Sequence, residues 1–395
     1  MDARTRSPFR SFWMVGYEGA DHCNPRGHPL DMQVATGHEA RIDEDYRAAL
    51  ALGFRVARES LSWRTIEGPG GYDFSRARRR AEAAQRAGMQ VCWSLCHYGW
   101  PADVDVFSQR LVERFRRYAS AAARALAPYT DGVPLYNPIN EISFLSYAVC
   151  DTDWIHPYRR DETPQRAARG YALKMNLVRA ALAGGAAIRD VAPDARLAQI
   201  EPIIHVVAPP EAPELADAAA ANVEFQFQAW DMLCGRMEPA LGGHPDALDL
   251  IGVNYYYNNQ WEFGTDKRLH WHLRDPRRVP LRTLLARVHR RYQRPLFVAE
   301  TGHFGAGRAA WIREVGDEVH AALGAGVPVH GICIYPAVDR PDWNDAQHWH
   351  NSGLWDLVQR PQGDLPRHLN ETYAHALRDA QRLLALPAVK EPDPS

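Results

Sequence analysis

Eight apolar runs of strand length, each followed by a stretch with helical patterning, constrain this chain more than any other feature. The strand candidates are 11–17 (SFWMVGY), 54–61 (FRVARESL), 89–97 (MQVCWSLCH) and 133–140 (VPLYNPIN), then 196–203 (RLAQIEPI), 248–256 (LDLIGVNYY), 295–300 (PLFVAE) and 329–335 (VHGICIY). Helical patterns fall at about 43–52, 74–88, 106–127, 164–190, 212–235, 280–291, 308–325 and 366–386, the fourth opening with Thr163 as N-cap and Pro164 at its first position. Strict alternation predicts a parallel α/β sheet. The nearly unbroken apolar character belongs to strands covered on both faces. Eight units without a central glycine-rich phosphate loop predict a closed (β/α)8 barrel rather than a doubly wound sheet. The length of 395 residues would admit two or three domains, yet a barrel with insertions reaches that size alone. The expected organisation is one barrel over residues 1–387 and a polar, proline-rich, disordered tail at 388–395.

Composition removes several function classes. Net charge is 46 − 48 = −2, which offers nothing to a polyanion or a membrane surface. The basic run Arg76 to Arg80 follows Asp73, an expected N-cap, and reads as a solvated helix face rather than a nucleic-acid site. No run approaches the length of a membrane helix. The first residues lack the apolar core of a signal peptide, so a cytoplasmic protein is expected. Six cysteines are scattered through apolar segments, which suggests buried, reduced thiols. Cys92 and Cys96 share one strand, and His348 and His350 lack partners at zinc spacing, so no metal and no cofactor are expected.

The chemistry-bearing residues gather at strand ends. Asn140 and Glu141 close the fourth candidate strand and Glu300 the seventh. Arg58 and Glu59 lie on the second, His97 ends the third, Asn254 to Tyr256 end the sixth, and Asp342 and Trp343 follow the eighth. Any one of these could be a packed or capping polar group. Core strands otherwise exclude such groups, so their accumulation at one end of a barrel marks a site. Two glutamates on different strands can face each other across a sugar-sized cleft, one protonating a leaving oxygen while the other attacks the anomeric carbon.

These segments resemble glycoside hydrolase family 1 over most of the chain. "RESLSW" at 58–63 is similar to that family's "RFSISW", "CHYGWP" at 96–101 to "HWDLP", and "NPINE" to its "NEP" region. "DLIGVNYY" resembles "DFIGINYY", "VAETG" resembles "ITENG", and "YPAVDRPDW" with "SGLWDL" resembles "WSLLDNFEW" with "FGL". The resemblance implies a retaining β-glycosidase with Glu141 as acid/base and Glu300 as nucleophile. It implies Asn140 on the sugar 2-hydroxyl, Arg58 and Tyr256 on Glu300, and His97, Asn254, Asp342 and Trp343 around the terminal sugar. The implied partner is a small glycoside or oligosaccharide. A transglycosidase of the same clan would read alike; a silent sugar-binding barrel is the other alternative, and such a barrel usually loses a catalytic carboxylate whereas this chain keeps both. The departures fall in the pocket: Tyr98 and Gly99 replace Trp and Asp, Ile142 replaces a proline, Tyr335-Pro336 replaces Trp-Ser, and Asp342 shortens a glutamate. Gly16 stands where the family has a sugar-binding glutamine. Chemistry is expected to be kept and the glycone pocket altered.

Overall fold

A computed structural model describes residues 7–157, 165–358 and 365–385. Eight parallel strands close into a barrel: β1 Trp13–Gly16, β2 Val56–Ser60, β3 Gln90–Cys96, β4 Leu135–Ile139, β5 Arg196–Pro202, β6 Leu250–Asn254, β7 Leu296–Thr301 and β8 Val329–Ile334. Each strand pairs with its sequence neighbours and β1 pairs with β8, which closes the ring. All eight strand expectations are met, with ends moved by a few residues. The helices that cover the barrel include α1 Ile42–Ala51, α2 Ser75–Ala87, α3 Gln109–Leu126, α4 Ile142–Cys150 and α5 Gln165–Val191. The segment expected to be helical at 212–235 is two short helices, Ala216–Glu224 and Gln228–Leu233, joined by a 3-10 turn. The expected Thr163 cap and the tail at 388–395 lie outside the described residues.

Periodicity explains how the layers meet. In α3, Leu111, Val112, Phe115, Tyr118, Ala119, Ala122 and Ala123 recur at three- and four-residue steps and are buried on one stripe. Helix α2 stops at Gly88, whose φ of 69° closes the C-terminus in a left-handed conformation that side chains disfavour. Asp73 lies one residue before the cap position, and its carboxylate accepts the Ser75 N–H at 2.9 Å. The basic face of α2 is not simply solvated. Arg80 is buried and pairs with Glu59 at 3.3 Å, and Arg76 pairs with Asp31 at 2.7 Å.

Inside the barrel, Met14, Val56, Cys92, Leu135, Ala198, Ile200, Leu250, Phe297, Ala299 and Cys333 fill the lower layers. Phe9 closes them from below, its ring 5.0 Å from that of Phe297. A barrel filled this way is a packed core rather than a pore, and leaves only its upper rim for polar groups. A separate cavity of about 650 Å³ opens at the N-terminal ends of β4 to β7, between Arg189, Arg196, Asp249 and Arg294. It lies at the opposite end from the clustered carboxylates.

Behind β1 and β2 sits a buried charge network. His38 Nδ1 meets Asp45 at 2.7 Å and its Nε2 meets Glu59 at 2.9 Å, while Tyr17 stacks on the imidazole with centroids 3.7 Å apart. Tyr46 donates to Glu59 at 2.8 Å, and Arg367 reaches Asp45 at 2.7 Å. Glu59 therefore faces the helices, as strand alternation from inward-facing Arg58 requires.

Candidate active site

Strand alternation brings Arg58 to the upper rim of the barrel. Its Nη1 donates to Glu300 Oε1 at 2.7 Å and to the Ala299 carbonyl at 2.9 Å, and its Nη2 donates to Asn140 Oδ1 at 3.0 Å. Glu300 owes its direction to an irregularity. Val298 is level with Val253, but Glu300 rather than Ala299 is level with Asn254, so the register slips by one residue. A bulge of this kind re-aims a side chain. Here it carries Glu300 to the side that Asn254 occupies. Tyr256 completes the setting, its hydroxyl donating to Glu300 Oε2 at 2.8 Å.

Glu141 lies just past β4, at the cap position of α4, rather than on the strand itself. Its φ of 51° is unusual for a residue with a side chain, and its N–H is tied to the Ile200 carbonyl at 3.0 Å. Asn254 Nδ2 donates to Oε1 at 2.8 Å, and the Tyr98 hydroxyl donates to Oε2. Burial and the nearby Glu300 charge push the Glu141 carboxyl up to about 8, against the two hydrogen bonds. Asn140 links the two carboxyl groups: its Nδ2 lies 3.4 Å from Glu300 Oε1 and 3.2 Å from the Tyr98 hydroxyl. The same nitrogen lies 3.3 Å from His97 Nε2, and His97 Nδ1 pairs with Ser60 at 2.9 Å. Burial pushes His97 down to about 4, so its ring is neutral.

No family model matches the chain, and no curated protein matches it in sequence. Solved structures do. The family 1 β-glucosidase from Thermotoga maritima superposes with a TM-score of 0.74 at 15% identity, over 96% of this chain and 99% of that one. A β-glucosidase from Thermotoga maritima in complex with glucoimidazole gives 0.75 at 16%, over 96% and 99%. The AHE enzyme from Alicyclobacillus herbarius gives 0.74 at 16%, over 96% and 98%. The fold is that of a family 1 β-glucosidase.

Within this β-glucosidase fold, Arg58, His97, Asn140, Glu141, Asn254, Tyr256 and Glu300 come together as the sequence suggested. Trp343 joins them from the loop after β8, its ring 5.9 Å from that of Tyr98. Asp342 does not. Its Oδ1 accepts the N–H groups of Asn344 and Asp345 at 2.8 and 3.2 Å, and its Oδ2 meets His350 at 3.1 Å, so the carboxylate caps its own turn. The partners it shows are those of its own loop, and the structure does not bring it into the cluster around the two glutamates. A buried carboxylate near His97 is Glu18, which accepts from Arg340 Nε at 3.0 Å and from the Tyr335 hydroxyl at 3.3 Å. Arg340 in turn lies over the Trp343 ring at 5.4 Å.

Three further residues were not singled out from the sequence. Glu201 alternates outward from β5 and accepts the Ser143 N–H at 2.9 Å, anchoring the first turn of α4 next to Glu141. His22 packs edge-on against Trp343 at 4.9 Å. Both His22 nitrogens, Trp343 Nε1 and Asn254 Oδ1 are buried without a hydrogen-bond partner, which native interiors seldom tolerate. Tyr98 is the third. The loop motif around it was legible only as a departure from the family pattern.

The missing glutamine has a steric cause. A Cβ on Gly16 would lie 2.2 Å from Tyr335 Cδ2, and a ring carbon cannot swing aside as a flexible side-chain end could. We expect Gly16→Ala to lower stability by about 1–3 kcal/mol, the usual cost of overpacking. Urea unfolding of wild type and variant checks this, and an unchanged midpoint would refute it.

Proposed function

We propose that this chain is a retaining β-glycosidase of the glycoside hydrolase family 1 type, which removes a terminal β-linked sugar from small glycosides. The observation that carries the reading is the contrast between two buried glutamates. Glu300 is ion-paired with Arg58 and suited to attack as an anion. Glu141 is held protonated at neutral pH by burial and by that anion. Glu300 bonds to the anomeric carbon as Glu141 gives its proton to the departing oxygen. Esterification removes the Glu300 charge, which releases Glu141 to ionise. It then takes a proton from water, the oxygen attacks the anomeric carbon, and Glu300 leaves as carboxylate. These steps need no metal or organic cofactor.

The unpartnered atoms of His22, Trp343 and Asn254 support a ligand rich in hydroxyl groups, since such groups can both donate and accept. Asn140 is suited to the 2-hydroxyl and the Trp343 ring to a C–H face of the sugar. Phe144 and Trp154 continue outward from Tyr98 with centroids 5.5 and 6.2 Å apart, on the side where the leaving group would depart from Glu141.

Leaving-group dependence tests the roles. Glu141→Gln is expected to slow alkyl glycosides far more than dinitrophenyl glycosides, whose leaving group departs without a proton. Azide added to Glu141→Ala should yield the β-glycosyl azide. In wild type, kcat/KM on alkyl glycosides should fall as pH rises through about 8, where free Glu141 loses its proton. Equal slowing of both substrate classes, or an α-azide product, would refute the assignment. The first-formed sugar anomer, read by NMR, should keep the β configuration.

A further inference from the structure

We infer that Tyr98 is a positioning residue for Glu141, held in a left-handed backbone conformation so that its hydroxyl sits on the acid/base and on Asn140 together. This rests on the glycosidase reading above and adds a residue to it. Three observations support it independently of that reading. The φ of Tyr98 is 85°, a conformation that a bulky side chain adopts only when its surroundings enforce it. The enforcing group is Asp21. Its Oδ1 accepts the Gly99 N–H at 2.8 Å, its Oδ2 accepts the Ser62 hydroxyl at 2.7 Å, and its own N–H is tied to the His97 carbonyl at 3.3 Å. A Cβ on residue 99 would lie 2.5 Å from the Asp21 carboxylate, so the clasp requires glycine there. Where the related motif carries a carboxylate at position 99, this chain supplies one from the segment after β1.

The clasp aims the phenol at Glu141 Oε2 while Asn254 holds Oε1, so both oxygens of the acid/base have a protein partner. Asn140 donates to the Tyr98 oxygen at 3.2 Å, which directs the phenolic proton to Glu141 whenever that group is a carboxylate. When Glu141 is protonated the direction reverses. The carboxyl O–H then donates to the phenol oxygen, and the phenol O–H turns into the cleft. Tyr98 thus stabilises the ionised acid/base that each proton donation leaves behind, without itself losing a proton to solvent. The other ionisable groups bearing on Glu141 are Glu300, Glu201 and Tyr256. The first two are carboxyl groups that oppose its ionisation. Tyr98 and Asn254 are the neighbours that favour it through hydrogen bonds.

Tyr98→Phe keeps the ring and removes the hydrogen bond. With alkyl glycosides, the descending limb of the kcat/KM pH profile should move up by about one pH unit, because the charged form of Glu141 loses a donor. At the optimum, kcat/KM should fall roughly tenfold or more. The same substitution in a Glu141→Gln background should change kcat/KM less than twofold. A merely structural role for Tyr98 would lower rates without moving the limb, and that result would overturn the proposal while leaving the glycosidase reading intact. A Glu141→Gln enzyme with wild-type activity on alkyl glycosides would overturn both.

Discussion

Replacing Glu300 by Gln is expected to stop turnover on every glycoside, activated or not. The amide is nearly isosteric but cannot form the glycosyl ester, and none of the groups around it is placed to attack instead. Tyr256 donates to Glu300, and burial and that anion hold the phenol well above its ordinary range, so it stays protonated. Loss of a covalent nucleophile costs on the order of 10⁶-fold in kcat. Substitution also leaves Arg58 without its ionic partner in a buried setting, so folding should be checked alongside. Steady-state rates on dinitrophenyl glycosides provide the decisive measurement, since this substrate forgives loss of the acid but not of the nucleophile. A residual rate within a hundredfold of wild type would exclude Glu300 as nucleophile.

The second large effect concerns stability rather than chemistry. His38 lies between Asp45 and Glu59 with about 1% of its side chain exposed. Burial alone would lower its pKa, but the two carboxylates override this and push it up to about 9. Asp45 and Glu59 would be raised by burial, yet His38, with Arg367 or Arg80, holds both below their ordinary range. The signs then follow. The His38 contribution is complete below its unfolded pKa near 6.5 and is lost as pH rises through about 9. The carboxylate contributions are complete above their unfolded pKa values near 4 and are lost on acidification. His38→Gln removes the cation and leaves two buried anions facing a neutral amide. We expect a cost of about 3–5 kcal/mol, the size seen when one partner of a buried ion pair is deleted. Urea unfolding at pH 7 measures it. Wild type should also weaken between pH 7 and pH 10, whereas the variant should show much less of that decline. A variant as stable as wild type at pH 7, or parallel alkaline profiles, would refute the assignment.

Barrel order was legible because each strand is apolar for nearly its whole length and each helix repeats its apolar face. The two glutamates were legible because a carboxylate at the end of such a strand has no place in a packed core. Direction was less accessible. Glu300 reaches the cleft through a register slip, and nothing in "VAETG" marks which residue is the extra one. Tyr98 is aimed by Asp21, whose carboxylate holds the N–H of Gly99 from 78 residues earlier in the chain, a pairing that only the closed barrel creates. Asp342, expected in the pocket, has its partners within its own loop. Its neighbours Asn344 and Asp345 carry turn chemistry, and the family motif outweighed that local signal. Arg80 was read from its basic neighbours as solvated. Its partner Glu59 lies on a different element, and charge runs in sequence do not reveal such distant partners.

Gly16 ends the first strand and Tyr335 lies one residue past the last, and the two are steric complements where those strands meet to close the ring. Redesign of the pocket floor is therefore a two-site problem. A library that varies position 16 alone meets the aromatic ring at every larger residue, and one that varies position 335 alone opens a hole beside a glycine. Exchanges made together, a larger residue at 16 with a smaller one at 335, are the route by which a polar side chain could be brought to the bottom of the cleft. A search for altered glycone preference should begin with that pair.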